Sequence, residues 1–137
     1  MKVSVSMPTY GQENYILDAI KGVVSQQYDG EIEFIISNDN SPDQTDEIIE
    51  NYLKNTDIPN NISIKYIKHE NNIGAIPNFA WTLQQSSGKY IAICEGDDYW
   101  TDPLKLQKQV DFLEENEEYT MELKIPYGVI DRLESVS

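Results

Sequence analysis

The feature that most constrains this chain is one pattern met four times, a short strand-like apolar run followed by apolar residues at helical spacing. Val3-Ser4-Val5-Ser6-Met7 alternates apolar and polar residues, reading as a strand whose end is fixed by Pro8. From about Glu13 to Tyr28, Ile16, Leu17, Ile20, Val23 and Val24 follow helical spacing, and Tyr28-Asp29-Gly30 breaks the helix. Ile32 to Ser37 is the kind of compact apolar run that a parallel sheet buries on both faces. Ser41-Pro42-Asp43-Gln44 carries a helix start, with Ser41 able to cap and Pro42 in the first turn. Ile48, Ile49, Tyr52 and Leu53 give that helix its stripe. Ile62 to Ile67 alternates again, and Asn71-Asn72-Ile73-Gly74 turns the chain into a helix carrying Ile76, Phe79, Ala80 and Leu83. After Ser87-Gly88, Tyr90 to Cys94 is a fourth strand, and Thr101-Asp102-Pro103 starts a last helix with Leu104, Leu106, Val110 and Leu113 available for burial. Strands and helices in alternation, joined by short right-handed crossovers, form a Rossmann-like α/β sheet, mostly parallel, with helices on both faces. The pattern weakens after Tyr119; Met121 to Ile125 offers one more strand.

Composition narrows the partners. A formal charge of −14, with scattered basic residues, argues against a nucleic acid backbone, which demands clustered Lys and Arg. Asp111 to Glu118 reads as a solvated helix end. Cys94 is the only cysteine, so neither an intrachain disulfide nor a cysteine metal cluster is available, and its apolar strand marks it as core. No apolar stretch is long enough to span a bilayer. A reducing cytoplasm, or the inner face of a membrane, is the expected location.

Ligands of parallel α/β sheets bind where the loops at the carboxyl ends of the strands converge. Here those loops read Pro8-Thr9-Tyr10-Gly11, Asn38-Asp39-Asn40-Ser41, His69-Glu70-Asn71-Asn72 and Glu95-Gly96-Asp97-Asp98. In the fourth, three carboxylates within four residues repel one another unless a cation or proton lies between them. Gly96 frees the backbone to aim them at one centre, and hard oxygen ligands suit Mg²⁺ or Mn²⁺. The plain alternative is an acidic turn that favours the next helix dipole. Asp39 either reads a ribose hydroxyl or base edge, or satisfies turn backbone. Tyr10 either stacks on a base or covers the sheet edge. His69 has no partner at metal spacing and reads as a loop residue; Trp100 is either core or part of a sugar pocket.

Taken together, Val3 to Tyr10, Asn38 to Thr45, Asn71 to Gly74 and Gly88-Lys89-Tyr90-Ile91 through Glu95-Gly96-Asp97-Asp98 resemble the family 2 glycosyltransferases of the GT-A fold. The resemblance runs from the start to about Tyr119 and makes 1–119 the nucleotide-sugar-binding part, with 120–137 a tail of at most one strand. It implies inverting transfer of a sugar from a nucleoside diphosphate, expected to be UDP, to a saccharide or lipid-linked acceptor, as in polysaccharide biosynthesis. By resemblance Pro8 and Tyr10 line the base pocket, Asp39 contacts the base, Asn78 belongs to the nucleotide site, and Asp97 lies near ribose and diphosphate. Asp98 is the implied metal ligand, with Glu95 at the first position of an Asp-x-Asp-like motif.

The chain departs from the family at Gly11, where Asn is usual, at Asn38 for the first acid of a pair, at Glu95 for Asp, and at Pro77 for an Arg that helps hold the nucleotide. The family's acceptor half and catalytic base have no counterpart, so the expectation is a truncated product that binds donor and transfers poorly, with self-association through the apolar surface of the truncated sheet. The competing readings are a non-catalytic nucleoside-diphosphate and metal-binding module, and a receiver-like domain, which needs its acidic pair near the first strand, where only Glu13 stands. A dinucleotide oxidoreductase fails because no Gly-x-Gly-x-x-Gly follows that strand.

Overall fold

The computed structural model describes residues 1–97, 99–116 and 131–132. Among these residues the elements follow in order: β1 (Val3–Thr9), α1 (Ile16–Val24), β2 (Ile32–Asn38), α2 (Thr45–Asn55), β3 (Ile62–Lys68), α3 (Ala75–Gln85), β4 (Tyr90–Ile93), α4 (Lys105–Glu115) and β5 (Asp131–Arg132). They build one sheet in the order β3-β2-β1-β4-β5. The first four strands run parallel, and β5 joins β4 antiparallel. The expected strand at Met121 to Ile125 falls outside the described residues.

The crossovers through α1 and α2 step outward from β1, whereas the crossover through α3 returns past β1 to β4. Right-handed connections then put α3 on the opposite face from α1 and α2. Strand alternation agrees. Val3, Val5 and Met7 of β1, Phe34 and Ile36 of β2, Tyr90 and Ala92 of β4, and Cys94 just after it share one apolar cluster with Ile16, Ile20, Val23, Ile49, Leu106, Val110 and Leu113. Trp100 and Cys94 belong to this cluster, so both are core.

The other face is built differently. Ser6 and Ser37 point toward α3, where Ser6 Oγ shares a hydrogen bond with Thr82 Oγ1 and Ser37 Oγ donates to Asn78 Oδ1. The buried residues of α3 are therefore Asn78 and Thr82. This corrects the stripe expected from helical spacing, since Ile76 is 80 % exposed. That sheet face is mixed: Ile35, Ile91 and Ile93 are buried beside Ser4 and Ser6, and the buried hydroxyls of Ser6 and Ser37 take their hydrogen-bond partners from Thr82 and Asn78.

Local boundaries also differ from those expected. Pro8 does not end β1: it pairs with Ser37 and its carbonyl accepts from Gly96 N–H. Its nitrogen faces the β4 side, between the bonds from Cys94 N–H to the Ser6 carbonyl and from Gly96 N–H to the Pro8 carbonyl, so the ladder lacks one rung there, where β4 ends. α1 stops at Val24, because the following Gln26 is buried as a bracket between helices. Its amide donates to the Asp102 carbonyl and accepts from Leu106 N–H, one of the unpaired donors at the start of α4.

Candidate functional site

The carboxyl ends of β1 and β4 meet where the chain's strand order reverses, the crevice in which α/β sheets bind ligands. A cleft of about 370 Å³ opens there, lined by Pro8, Thr9, Tyr10, Gln12, Asp39, Asn72, Gly74, Ala75, Asn78, Phe79 and Glu95. Of the residues singled out from the sequence, Pro8, Tyr10, Asp39, Asn78 and Glu95 lie on this one cleft. Asp97 is exposed and is not among the lining residues; Asp98 lies outside the described residues. Thr9, Gln12, Ala75 and Phe79 were missed. Only Phe79 had stood out, as a member of a helical stripe.

The walls are held by side chains that reach from loop to loop. Asp39, 2 % exposed, accepts Ile73 N–H at 2.7 Å on one carboxylate oxygen and Gly74 N–H at 2.9 Å on the other. Asn72 adds a bond from its amide to the Asp39 carbonyl at 3.1 Å. Asp39 thus satisfies backbone, as one reading had it, while still facing the cleft, and each oxygen retains a further lone pair. Asn78 is bound twice by Ser37, giving and taking one bond, so it fastens α3 to β2 beneath the cleft.

Tyr10, half exposed, rises from the first loop, and the next residue explains a departure from the family. Gly11 has φ +62°, a region that Gly enters freely and Asn more easily than other residues. The loop is moored to the start of α2: Gly11 N–H donates to Ser41 Oγ, Gln12 N–H to Thr45 Oγ1, and Glu13 N–H to Asp43 Oδ2. Asp43 also receives the N–H and hydroxyl of Thr45 on its other oxygen. α2 has Gln44 at its N-cap with no side-chain cap bond; Asp43, one residue before, takes the Thr45 N–H, and Ser41 is engaged by Asn38 and Gly11 instead. Burial alone would raise the Asp43 pKa; the bonds from Thr45 and Glu13 outweigh it and hold the carboxyl below its ordinary value.

Gly96 has a steric role beyond the one read from sequence. A Cβ there would overlap Gln12 Oε1 and Thr9 Oγ1, so glycine lets the acidic turn close against the first loop. The Trp100 backbone packs against Gly22 of α1, and Trp100 belongs to the core cluster and is not among the residues lining the cleft. His69 bonds Ser37 Oγ at 2.9 Å and meets Trp81 edge-on at 5.3 Å between ring centroids, the loop role expected of it.

The cleft's electrostatics are one-sided. Asp39 and Glu95 line it, and no Lys, Arg or His is among its described lining residues. Among the described residues no three His, Cys, Asp or Glu form a ready metal cage. Glu95 with an adjacent acid still fits a hard divalent ion, since Mg²⁺ commonly takes one or two carboxylates and completes its shell with water and substrate phosphates. Among the described residues, no helix is long and apolar enough to cross a membrane.

Comparison with known proteins gives the same fold and family. A Mycobacterium tuberculosis (strain ATCC 25618 / H37Rv) protein of uncharacterized function is 41% identical over 119 residues, covering 87% of this chain and 33% of its own. TuaG of Bacillus subtilis (strain 168), whose name assigns it to teichuronic acid biosynthesis as a glycosyltransferase, is 35% identical over 113 residues, 82% of this chain and 42% of its own. The crystal structure of S. aureus TarS 1-349 in complex with UDP-GlcNAc superposes with a TM-score of 0.72 at 29% identity, covering 85% of this chain and 32% of that one. The mannosyltransferase PcManGT from Pyrobaculum calidifontis, in complex with GDP-Man and Mn2+, superposes with a TM-score of 0.72 at 19% identity, a likeness of fold alone. The chain spans about a third of the length of the first of these relatives. The sequence profile described as Glycosyl transferase family 2 matches residues 4–131, and with the GT-A sheet and its switch-point cleft this places the chain in glycosyl transferase family 2.

Proposed function

We propose that this chain forms the donor-nucleotide site of an inverting glycosyltransferase that uses a nucleoside-diphosphate sugar, with UDP as the carrier, and a divalent cation. The observation that carries the reading is the cleft itself: an aromatic wall, a buried carboxylate and an acidic turn at the strand switch point, with no cationic side chain among its described lining. A diphosphate cannot approach Asp39 and Glu95 without a counter-charge, and a cation supplies it. Tyr10 stacks on the base, and Asp39 accepts a ring N–H with the lone pairs its backbone partners leave. Pro8 and Asn78 shape the base pocket. Asp97 lies toward ribose and diphosphate, and Glu95 and Asp98 hold Mg²⁺ or Mn²⁺. Held there, such an ion would supply a positive charge to offset that of the departing diphosphate. The TarS complexes with UDP and UDP-GlcNAc, at 29% identity, support this choice of ligand.

Calorimetric titration with UDP tests it. Binding is expected with Mn²⁺ present, and Asp98→Ala should abolish the metal-dependent part; no binding of any nucleoside diphosphate by the parent protein would sink the assignment.

A second reading, donor binding without transfer, is favoured by one observation. Of the described carboxylates in the cleft, Asp39 is engaged by two backbone N–H groups, and with Glu95 given the proposed metal role none is left as base. Turnover with a panel of saccharide acceptors separates the two: repeated transfer by this chain alone excludes the second.

A further inference from the structure

Behind the cleft wall runs a chain of hydrogen bonds whose direction is fixed at every link. Gly11 N–H donates to Ser41 Oγ at 2.9 Å, and the Ser41 hydroxyl donates to Asn38 Oδ1 at 2.6 Å. Ser41 N–H also donates to Asn38 Oδ1, at 2.9 Å. A backbone N–H must meet an acceptor, so the Asn38 amide cannot be turned round. Its Nδ2 therefore points the other way and donates to Tyr66 Oη at 3.0 Å, leaving the Tyr66 proton to reach Asp46 Oδ1 at 2.6 Å. Burial first, then its bond to Asp46, pushes the Tyr66 pKa above the ordinary tyrosine range, so the hydroxyl keeps its proton. Asn38 is fully buried, and Lys68 meets the far oxygen of Asp46 at 3.7 Å.

We propose that Asn38 and Tyr66 are positioning residues for the cleft: through Ser41 they hold Gly11 in its left-handed conformation and thereby fix Tyr10 as the wall. The amide is what the arrangement requires. Were a carboxylate to replace the Asn38 amide, it and Asp46 would both claim the single proton of Tyr66. One contact would then be lost at a charged and partly buried site. The departure from the family's acid at this position is thus matched by Tyr66 and Asp46 on neighbouring elements.

The test is a swap. Asn38→Asp is nearly isosteric and should speed hydrogen exchange of the Gly11 amide, followed by NMR, about tenfold, and weaken Mn²⁺-dependent UDP binding by about the same factor. Adding Asp46→Asn restores the donor order in reverse: Tyr66 then donates to residue 38 and accepts from residue 46. The double variant, unchanged in net charge from the parent, should recover both readouts, whereas two independent packing defects would add. Tyr66→Phe serves if the single variant does not fold, and should also speed Gly11 exchange. The second readout rests on the cleft being a nucleotide site; the first needs no nucleotide. Parent protein that binds no UDP therefore counts against the proposed function, and unchanged Gly11 exchange in folded Asn38→Asp and Tyr66→Phe counts against the relay. A double variant worse than Asn38→Asp overturns the relay as well.

Discussion

At the scale of single residues the cleft depends on two glycines for different reasons. Gly96→Ala would drive a methyl group into Gln12 and Thr9, and is expected to lower stability by about 1–3 kcal/mol in urea denaturation. A Cβ at Gly11 would meet only Asp43 Oδ2, at 4.0 Å, an ordinary contact, so backbone conformation is what is at stake. Gly11→Asn should therefore be close to neutral, and Gly11→Val should cost roughly 1–2 kcal/mol or more in the same assay. Sequence marked Gly96, but for the freedom of its backbone, because a steric contact with Gln12 is set by tertiary approach and leaves no trace in local pattern. Asp39 was equally visible as an acid at a strand end. That its oxygens clamp Ile73 and Gly74 was not, since those residues lie 34 and 35 positions away.

At the scale of elements, α2 and the first loop behave as one unit joined through Asp43. The folded carboxyl has a lowered pKa, so its contribution is present above the ordinary aspartate value and is lost as pH falls through the folded one. Acid unfolding below about pH 4 should accordingly be shallower for Asp43→Asn than for the parent, with the difference vanishing at the acid end. Identical acid limbs would show that the mooring carries no linkage. The strands were legible because apolar runs of this length have few other uses in a parallel sheet. α3 was legible as a helix but not in its facing, since its fully buried residues are Asn78 and Thr82, held by serines of the sheet, while Ile76 is exposed and Phe79 lines the cleft. Periodicity reports which side of a helix is apolar; it does not report that polar residues are buried where the sheet beneath offers them hydrogen-bond partners.

At the scale of the whole molecule, a charge of −14 and an acidic cleft set the terms of binding. Ile73, just before α3, and Ile76, in its first turn, expose apolar side chains, and a self-association of this chain would use them. Sedimentation should show association at high concentration, reduced by Ile76→Lys; a parent that stays monomeric throughout would remove that idea. The parallel sheet, its helices on both faces and its family were all readable from four loops in order, whereas the relation of the acidic turn to Tyr10 and Asp39 required the strand order. The central claim is that a cation and a nucleotide share the cleft at that turn. Paramagnetic broadening by Mn²⁺ in the presence of UDP tests it most directly: amide resonances of Thr9, Glu95, Gly96 and Gly74 should broaden first. Broadening confined to the acidic stretch from Asp111 onward, with the cleft resonances unchanged, would contradict it.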